Sequence, residues 1–238
     1  MSDYNNHKSD ILYPNATIYF FLALVVTWVG FSQSYFGRLG SVDIFHHIHG
    51  AIAGGWIIVL MIQPYLYKQG KLALHRKIGK LAAYILFPLL LLGGLKMIHS
   101  MLNGLDAYPP GAPNILAYLD FYSILMMLYF VYQAISKAKI LQLHARYICL
   151  TVLVMLPPAI ARMLFLIPWF DSFDKTLNAS YSIVIIITGI LLIDDKRKGT
   201  IYPPYKIAIV LFLIQLISLN FIEQWQWWAN LMLKFASI

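Results

Sequence analysis

The chain has 238 residues, of which 60% are hydrophobic and only 12% charged, and its formal net charge is +8. Its mean hydropathy of +0.69 excludes an ordinary soluble domain, in which about 25% of residues are charged. The cations are confined to particular short connections, which argues against nucleic acid as a partner. The composition therefore predicts an all-α integral membrane protein.

Seven apolar segments follow one another along the chain, and helices of this kind can cross the hydrocarbon core of a membrane. The predicted spans are 16–36, 44–67, 77–101, 114–136, 146–168, 177–194 and 204–222. We expect a single polytopic domain over residues 1–238, with residues 1–14 as a short cytoplasmic tail. The expected fold is a bundle of seven transmembrane helices.

Lysine and arginine mark every second connection of this bundle. The connections after the second, fourth and sixth spans are basic, whereas the alternate connections are poor in cations. Basic loops stay on the cytoplasmic side, so we expect a cytoplasmic N-terminus, an external C-terminus and basic loops that contact anionic headgroups. Trp225, Trp227 and Trp228 follow the last span and are expected in the outer aromatic belt.

Histidines open the second span, in the run His46-His47-Ile48-His49-Gly50. His46 and His49 are three residues apart and therefore share a helix face. The third span ends near His99, which we expect at the depth of His49. Imidazoles from two adjacent helices are ligands that zinc, iron and copper use. His46, His49 and His99 are therefore candidate ligands of a metal or haem in the outer leaflet. The alternative is that these histidines are solvated or hydrogen-bonded to a loop carbonyl near the interface.

Charged residues from later spans are expected in the same outer layer. Asp120 lies about two turns into the fourth span, Arg162 near the outer end of the fifth, and Glu223 just after the seventh. Ionisable side chains at membrane depth mark candidate functional sites, so we interpret these three as candidate catalytic residues around a polar chamber. The alternative is that Asp120 and Arg162 form a buried pair that joins two helices.

At the inner boundary, His75-Arg76-Lys77-Ile78-Gly79-Lys80 opens the third span and His144-Ala145-Arg146 opens the fifth. Two neutral imidazoles on facing helices can be the axial ligands of a haem. His75 and His144 are therefore candidate cofactor-binding residues. Their cationic neighbours favour the alternative, which is an anchor to anionic lipid headgroups.

The segments Ser34-Tyr35-Phe36, His49-Gly50, Leu74-His75-Arg76-Lys77-Ile78-Gly79 and His144-Ala145-Arg146, together with Trp56 and Gln63, resemble a group of uncharacterised bacterial multi-pass inner-membrane proteins. The resemblance covers about residues 34–80 and 142–162 and implies a bacterial inner membrane, but no activity. The His-Arg-x-x-Gly element is also similar to parts of several haem-bearing membrane families. The seventh span lacks the histidines that seven-helix zinc hydrolases of the progestin-receptor and ceramidase type carry on their last helix.

Three functions are compatible with these patterns. The leading hypothesis is a non-transporting seven-helix protein that binds haem or a transition metal (zinc, iron or copper) in the outer leaflet and serves respiratory electron transfer or assembly with a respiratory partner. The second is a metal-dependent lipid hydrolase, with Asp120 or Glu223 as general base for a metal-bound water. The third is a small transporter, with Asp120 and Arg162 as a gate across a hydrated path.

Overall fold

The computed structural model describes residues 13–104, 108 and 111–238, and these residues form helices and connections without a β-strand. Most of the predicted tail, residues 1–12, lies outside the described residues. Apolar segments become helices because a helix satisfies its own backbone polar groups. The seven apolar helices of the described part are α1 Ala16–Gly30, α2 Ile44–Lys68, α3 Leu72–Asn103, α4 Ala112–Ser136, α5 Leu141–Leu164, α6 Phe173–Arg197 and α7 Pro203–Leu219.

Five of these helices, α2 to α6, are long and apolar enough to cross a membrane. They contain 24 to 32 residues, so each is at least about 36 Å long at 1.5 Å per residue. The other two, α1 and α7, contain 15 and 17 residues, or about 23 and 26 Å. The described part of the chain is therefore compatible with a helical membrane protein.

The connections gather at two ends of the bundle because successive helices run in opposite directions. His144 at the start of α5 bonds to Ala134 at the end of α4, and Asn220 after α7 bonds to Asn178 at the start of α6. The cation-rich end carries the connections 69–71, 137–140 and 198–202. The cation-poor end carries 31–43, 165–172 and the described residues 104, 108 and 111.

A close contact between α1 and α5 shapes the cation-poor end. A Cβ atom on Gly30 would lie 2.3 Å from the carbonyl oxygen of Ala159, so the two backbones meet without a side chain between them. Just before this point α5 is interrupted at Leu156, where the proline pair 157–158 lacks backbone donors. The contact brings Phe31, which follows α1, beside Arg162.

The boundaries of the helices differ from the predicted ones where candidate residues lie. α3 begins at Leu72, so His75 lies in its first turn. α5 ends at Leu164, four residues before the predicted end of the fifth span at 168, so Arg162 lies in its last turn.

A short helix, α8 Gln226–Ala236, has no counterpart among the predicted spans. Its residue Trp228 is only 6% exposed, and the indole Nε1 donates to the Asn114 carbonyl at 3.0 Å. The expectation that Trp228 belongs to an aromatic belt was therefore wrong, whereas the adjacent Trp227 is exposed.

Candidate functional site

Polar side chains of α4, α6 and α7 meet between the middle of the bundle and the cation-poor end. Gln215 is fully buried, and its Nε2 lies 3.1 Å from the Leu119 carbonyl and 3.2 Å from both the Ser123 hydroxyl and the Tyr181 hydroxyl. A carboxamide has two N–H donors, so these three acceptors share them. Gln215 thus joins three helices at one point, and we call these side chains the outer cluster.

Asp120 borders the outer cluster, since it follows Leu119 in the chain and is partly buried. Its carboxylate lies within electrostatic range of Arg162 and Tyr181, but it forms no hydrogen bond or ion pair with any of the described residues. The buried Oε1 of Gln215 also has no hydrogen-bond partner among the described residues. An unsatisfied acceptor is costly inside a bundle, so the buried Oε1 of Gln215 points to a donor that the described residues do not supply. The carboxylate of the partly buried Asp120 leaves further acceptors open beside it.

Arg162 faces a cleft at the cation-poor end. Its Nη1 donates to the Pro158 carbonyl at 3.0 Å, and its guanidinium lies 4.5 Å from the centre of the Phe31 ring. The direct Asp120–Arg162 pair considered from the sequence is absent. The cleft has a volume of about 160 Å³ and is lined by Val29, Gly30, Ser32, Gln33, Ser34, Arg162, Phe165 and Leu166. This volume accommodates several waters or one small solute.

Glu223 lies apart from Asp120 and Arg162. Its Oε1 lies 2.7 Å from the position that a Cβ on Gly111 would take, just before α4. Gly111 has φ +80°, which favours glycine. Nine residues separate Gly111 from Asp120, or about 14 Å along the helix. A carboxylate here stabilises the positive end of the α4 dipole. Glu223 therefore has a structural role at the start of α4 and does not lie beside Asp120.

The three candidate outer ligands His46, His49 and His99 do not meet. His46 and His49 lie within electrostatic range of each other, and the ring of His49 packs against Gly93 of α3. Gly93 precedes His99 by six residues, about 9 Å along the helix, so the expectation of equal depth was wrong. Among the described residues, no three His, Cys, Asp or Glu side chains are grouped to hold a metal ion. Metal binding by these histidines stays a prediction.

Two of these histidines have local partners. His46 Nδ1 lies 2.6 Å from Asp43 Oδ2 at the exposed start of α2. Desolvation is the largest single effect and raises the pKa of Asp43, but the hydrogen bonds from the backbone and side chain of His46 and from the Phe45 backbone together outweigh it and hold this pKa below its ordinary value. The ring of His99 packs edge-on against Phe235 of α8, with centroids 5.9 Å apart.

His75 and His144 each link two successive helices near the cation-rich end. His75 Nδ1 lies 3.3 Å from the Gln63 carbonyl, and His144 Nδ1 lies 2.8 Å from the Ala134 carbonyl. A carbonyl only accepts, so Nδ1 of each ring is protonated and Nε2 of the neutral ring is left as an acceptor. The two imidazoles lie within electrostatic range of each other.

A buried ion pair at the cation-rich end was missed by the sequence reasoning. Arg146 and Asp195 are 1% and 0% exposed. Nε and Nη2 of Arg146 donate to the two carboxylate oxygens at 2.8 Å and 2.5 Å, and Nη1 donates to the main-chain and side-chain oxygens of Gln142 at 2.6 Å and 2.7 Å. The basic segment around Arg146 favoured an anchor to lipid headgroups. For Arg146 this prediction was wrong, because its side chain is buried and paired.

Three tyrosines surround this pair and form a cage. The guanidinium carbon of Arg146 lies 4.0 Å from the ring centre of Tyr202 and 5.8 Å and 5.9 Å from those of Tyr13 and Tyr205. The hydroxyls of Tyr13 and Tyr205 are 2.7 Å apart. Cation–π contacts of this kind stabilise a desolvated guanidinium. Because Tyr13 precedes α1 and Tyr202 precedes α7, the cage connects both to α5 and α6.

No family model, curated protein or solved structure matches this chain. The resemblance to uncharacterised inner-membrane proteins stays a prediction. A functional assignment therefore rests on the side-chain geometry of the described residues.

Proposed function

We propose that this protein is a membrane transporter that binds a small zwitterionic solute between Asp120 and Arg162. One observation carries the proposal: the partly buried Asp120 and the exposed Arg162, in the last turn of α5, lie within electrostatic range of each other without pairing. Opposite charges in a medium of low dielectric attract strongly. A solute that carries both charges supplies each of them with a partner.

The polar atoms around the two charges suit such a solute. An ammonium group has three donors, which match the unpartnered Asp120 carboxylate and the unpartnered Oε1 of Gln215. A carboxylate suits Arg162, which has donors beyond the one that bonds to Pro158. Arg162 lines the cleft at the cation-poor end, and we propose that the solute enters from this cleft.

For the membrane arrangement we propose seven spans in a bacterial inner membrane, with the N-terminus in the cytoplasm and the C-terminus outside. The support is the sorting of cations to one end of the bundle. Arg76, Lys77 and Lys80 are exposed at that end and suit anionic headgroups. Reporter fusions at Gly199 and Gln224 test this topology, since we expect them on opposite sides of the membrane.

A thermal-shift experiment tests the solute site. Purified protein is heated with an equimolar mixture of glycine, alanine, serine and proline, and in parallel with the N-acetylated and the amidated compounds. A ligand at about 100 times its Kd stabilises the folded state by about 2.7 kcal/mol, so we expect a raised Tm with the zwitterions alone.

The substitution Asp120→Asn should abolish this shift. Asp174→Asn is the matched control, because Asp174 is exposed in the first turn of α6. The proposal fails if the zwitterions leave Tm unchanged, or if the Asp120→Asn variant responds as the wild type does.

A second candidate function is haem binding at His75 and His144, for electron transfer with a respiratory partner. The observation that favours it is the fixed Nδ1–H of each imidazole, because the opposite Nε2 atom is the one that haem iron takes. A bound haem would supply one-electron redox chemistry. The chain's own residues orient the two rings through main-chain carbonyls.

The absorption spectrum of gently purified protein tests this second candidate. We expect a Soret band that His75→Ala and His144→Ala remove and that His47→Ala retains. A preparation without a Soret band would rule the haem out. Elemental analysis of the same sample measures zinc, iron and copper, and so tests the predicted ligands His46, His49 and His99.

A further inference from the structure

The outer cluster and the buried ion pair lie on the same interior faces of two helices. On α6, Tyr181 and Asp195 are both buried and are 14 residues apart in sequence, or about 21 Å. On α7, Gln215 and Tyr205 are both buried and ten residues apart, or about 15 Å. Each helix therefore runs from one polar group to the other along one buried face.

Between these polar groups, the same faces carry apolar side chains and, on α6, the buried Thr188. Val184 of α6 and Ala208 and Phe212 of α7 are fully buried. The cation-poor end has a cleft that reaches Arg162, whereas the cation-rich end is covered by the Arg146–Asp195 pair and its cage. The described residues thus form a cleft at the cation-poor end and a buried, paired charge cluster at the cation-rich end.

We propose that the Arg146–Asp195 pair and its tyrosine cage form the closed gate at the cation-rich end of the solute path. This inference rests on the proposed function. Two charges buried without water are stable only while each faces the other with good geometry. When the helices separate and water enters, both charges hydrate, so the pair has two favourable arrangements and can switch between them.

The outermost layer of this gate is Tyr202. Its ring covers the guanidinium of Arg146 at 4.0 Å, and it lies on the connection before α7 rather than within a helix. Movement of this connection uncovers Arg146 without breaking a helix. Tyr202 is therefore the part of the gate whose truncation should weaken closure with the smallest effect on folding.

Cys149 is a natural labelling site that reports whether the proposed gate is open. It is the only cysteine of the chain, and it follows Arg146 by three residues on α5, so it lies about 4.5 Å farther from the cation-rich end. It is partly buried and within electrostatic range of Arg146, Tyr13 and Tyr205. A charged thiol reagent from the cation-rich side should reach this sulfur only when the gate is open.

The experiment measures the rate at which a membrane-impermeant methanethiosulfonate labels Cys149 in vesicles of known orientation. We expect slow labelling of the wild type from the cation-rich side and about tenfold faster labelling of Asp195→Asn, because loss of the pair raises the open population. Asp194→Asn is the matched control and should stay slow, since Asp194 is exposed and pairs with Lys198. Cys149→Ser gives the background.

Tyr202→Leu is the second variant, and we expect its Cys149 to be labelled faster than that of the wild type. If the Asp195→Asn protein does not accumulate, Tyr202→Leu alone tests the gate. The gate is refuted if wild-type Cys149 labels as fast as in the variants, or if the variants stay as slow as the wild type. Asp120→Asn should leave the labelling rate unchanged. The labelling experiment therefore tests the gate even if the solute site at Asp120 is wrong.

Discussion

The substitution Asp195→Asn tests how much the buried ion pair stabilises the protein. Asparagine keeps the size of the side chain and removes its charge, which leaves the guanidinium of Arg146 buried without a counter-ion. Breaking a buried pair on one side costs about 3–5 kcal/mol of unfolding free energy. Gln142 and Tyr202 keep their contacts with the guanidinium, so we expect a loss near the lower limit, about 3 kcal/mol.

Unfolding in mixed micelles by titration with dodecyl sulfate, followed by tryptophan fluorescence, measures this loss. Asp194→Asn changes the neighbouring residue, whose pair with Lys198 at 2.6 Å is exposed, and should cost less than about 1 kcal/mol. The combined Arg146→Met and Asp195→Leu variant should recover much of the stability, because it leaves no buried charge. Equal losses for Asp194→Asn and Asp195→Asn would refute this account of the pair.

Three further substitutions test local features. Gly30→Ala should destabilise by about 1–3 kcal/mol, because its Cβ would meet the Ala159 carbonyl oxygen at 2.3 Å, whereas Gly40→Ala, with open space around it, should not lower Tm. Trp228→Phe should cost about 1 kcal/mol of unfolding free energy through the lost hydrogen bond to α4. Asp43→Ala removes the cap of α2 and should cost about 1 kcal/mol at neutral pH. Unfolding at several pH values should show the Asp43 contribution above the ordinary pKa of about 3.9 and its loss as pH falls through the lowered folded-state pKa.

Hydropathy located the helices because a run of apolar residues has one compatible backbone conformation in lipid. It located their ends less well, since charged and polar residues continue a helix beyond its apolar part. His75 in the first turn of α3 is an example. The helix α8 was missed because it has 11 residues, although the spacing of Trp228 and Met232, both buried, is that of one helix face.

Some functionally placed charged residues could be recognised from the sequence, and others could not. Asp120 and Arg162 were singled out because they interrupt apolar segments. Asp195 was missed because it stands in the run Asp194-Asp195-Lys196-Arg197-Lys198, which has the composition of a solvated membrane boundary. The helical spacing Tyr181, Val184, Thr188, Asp195 places it on the interior face of α6, and all four residues are buried. The depth of His49 depends on helix register, which hydropathy does not determine.

Counterflow in proteoliposomes tests the central claim most directly. Vesicles loaded with unlabelled glycine, alanine, serine and proline are diluted into the same amino acids in radiolabelled form, and internal label is followed with time. We predict transient accumulation with wild-type protein and with Asp174→Asn, and none with Asp120→Asn. Label in wild-type vesicles that equals the label in protein-free vesicles would contradict a zwitterion transporter.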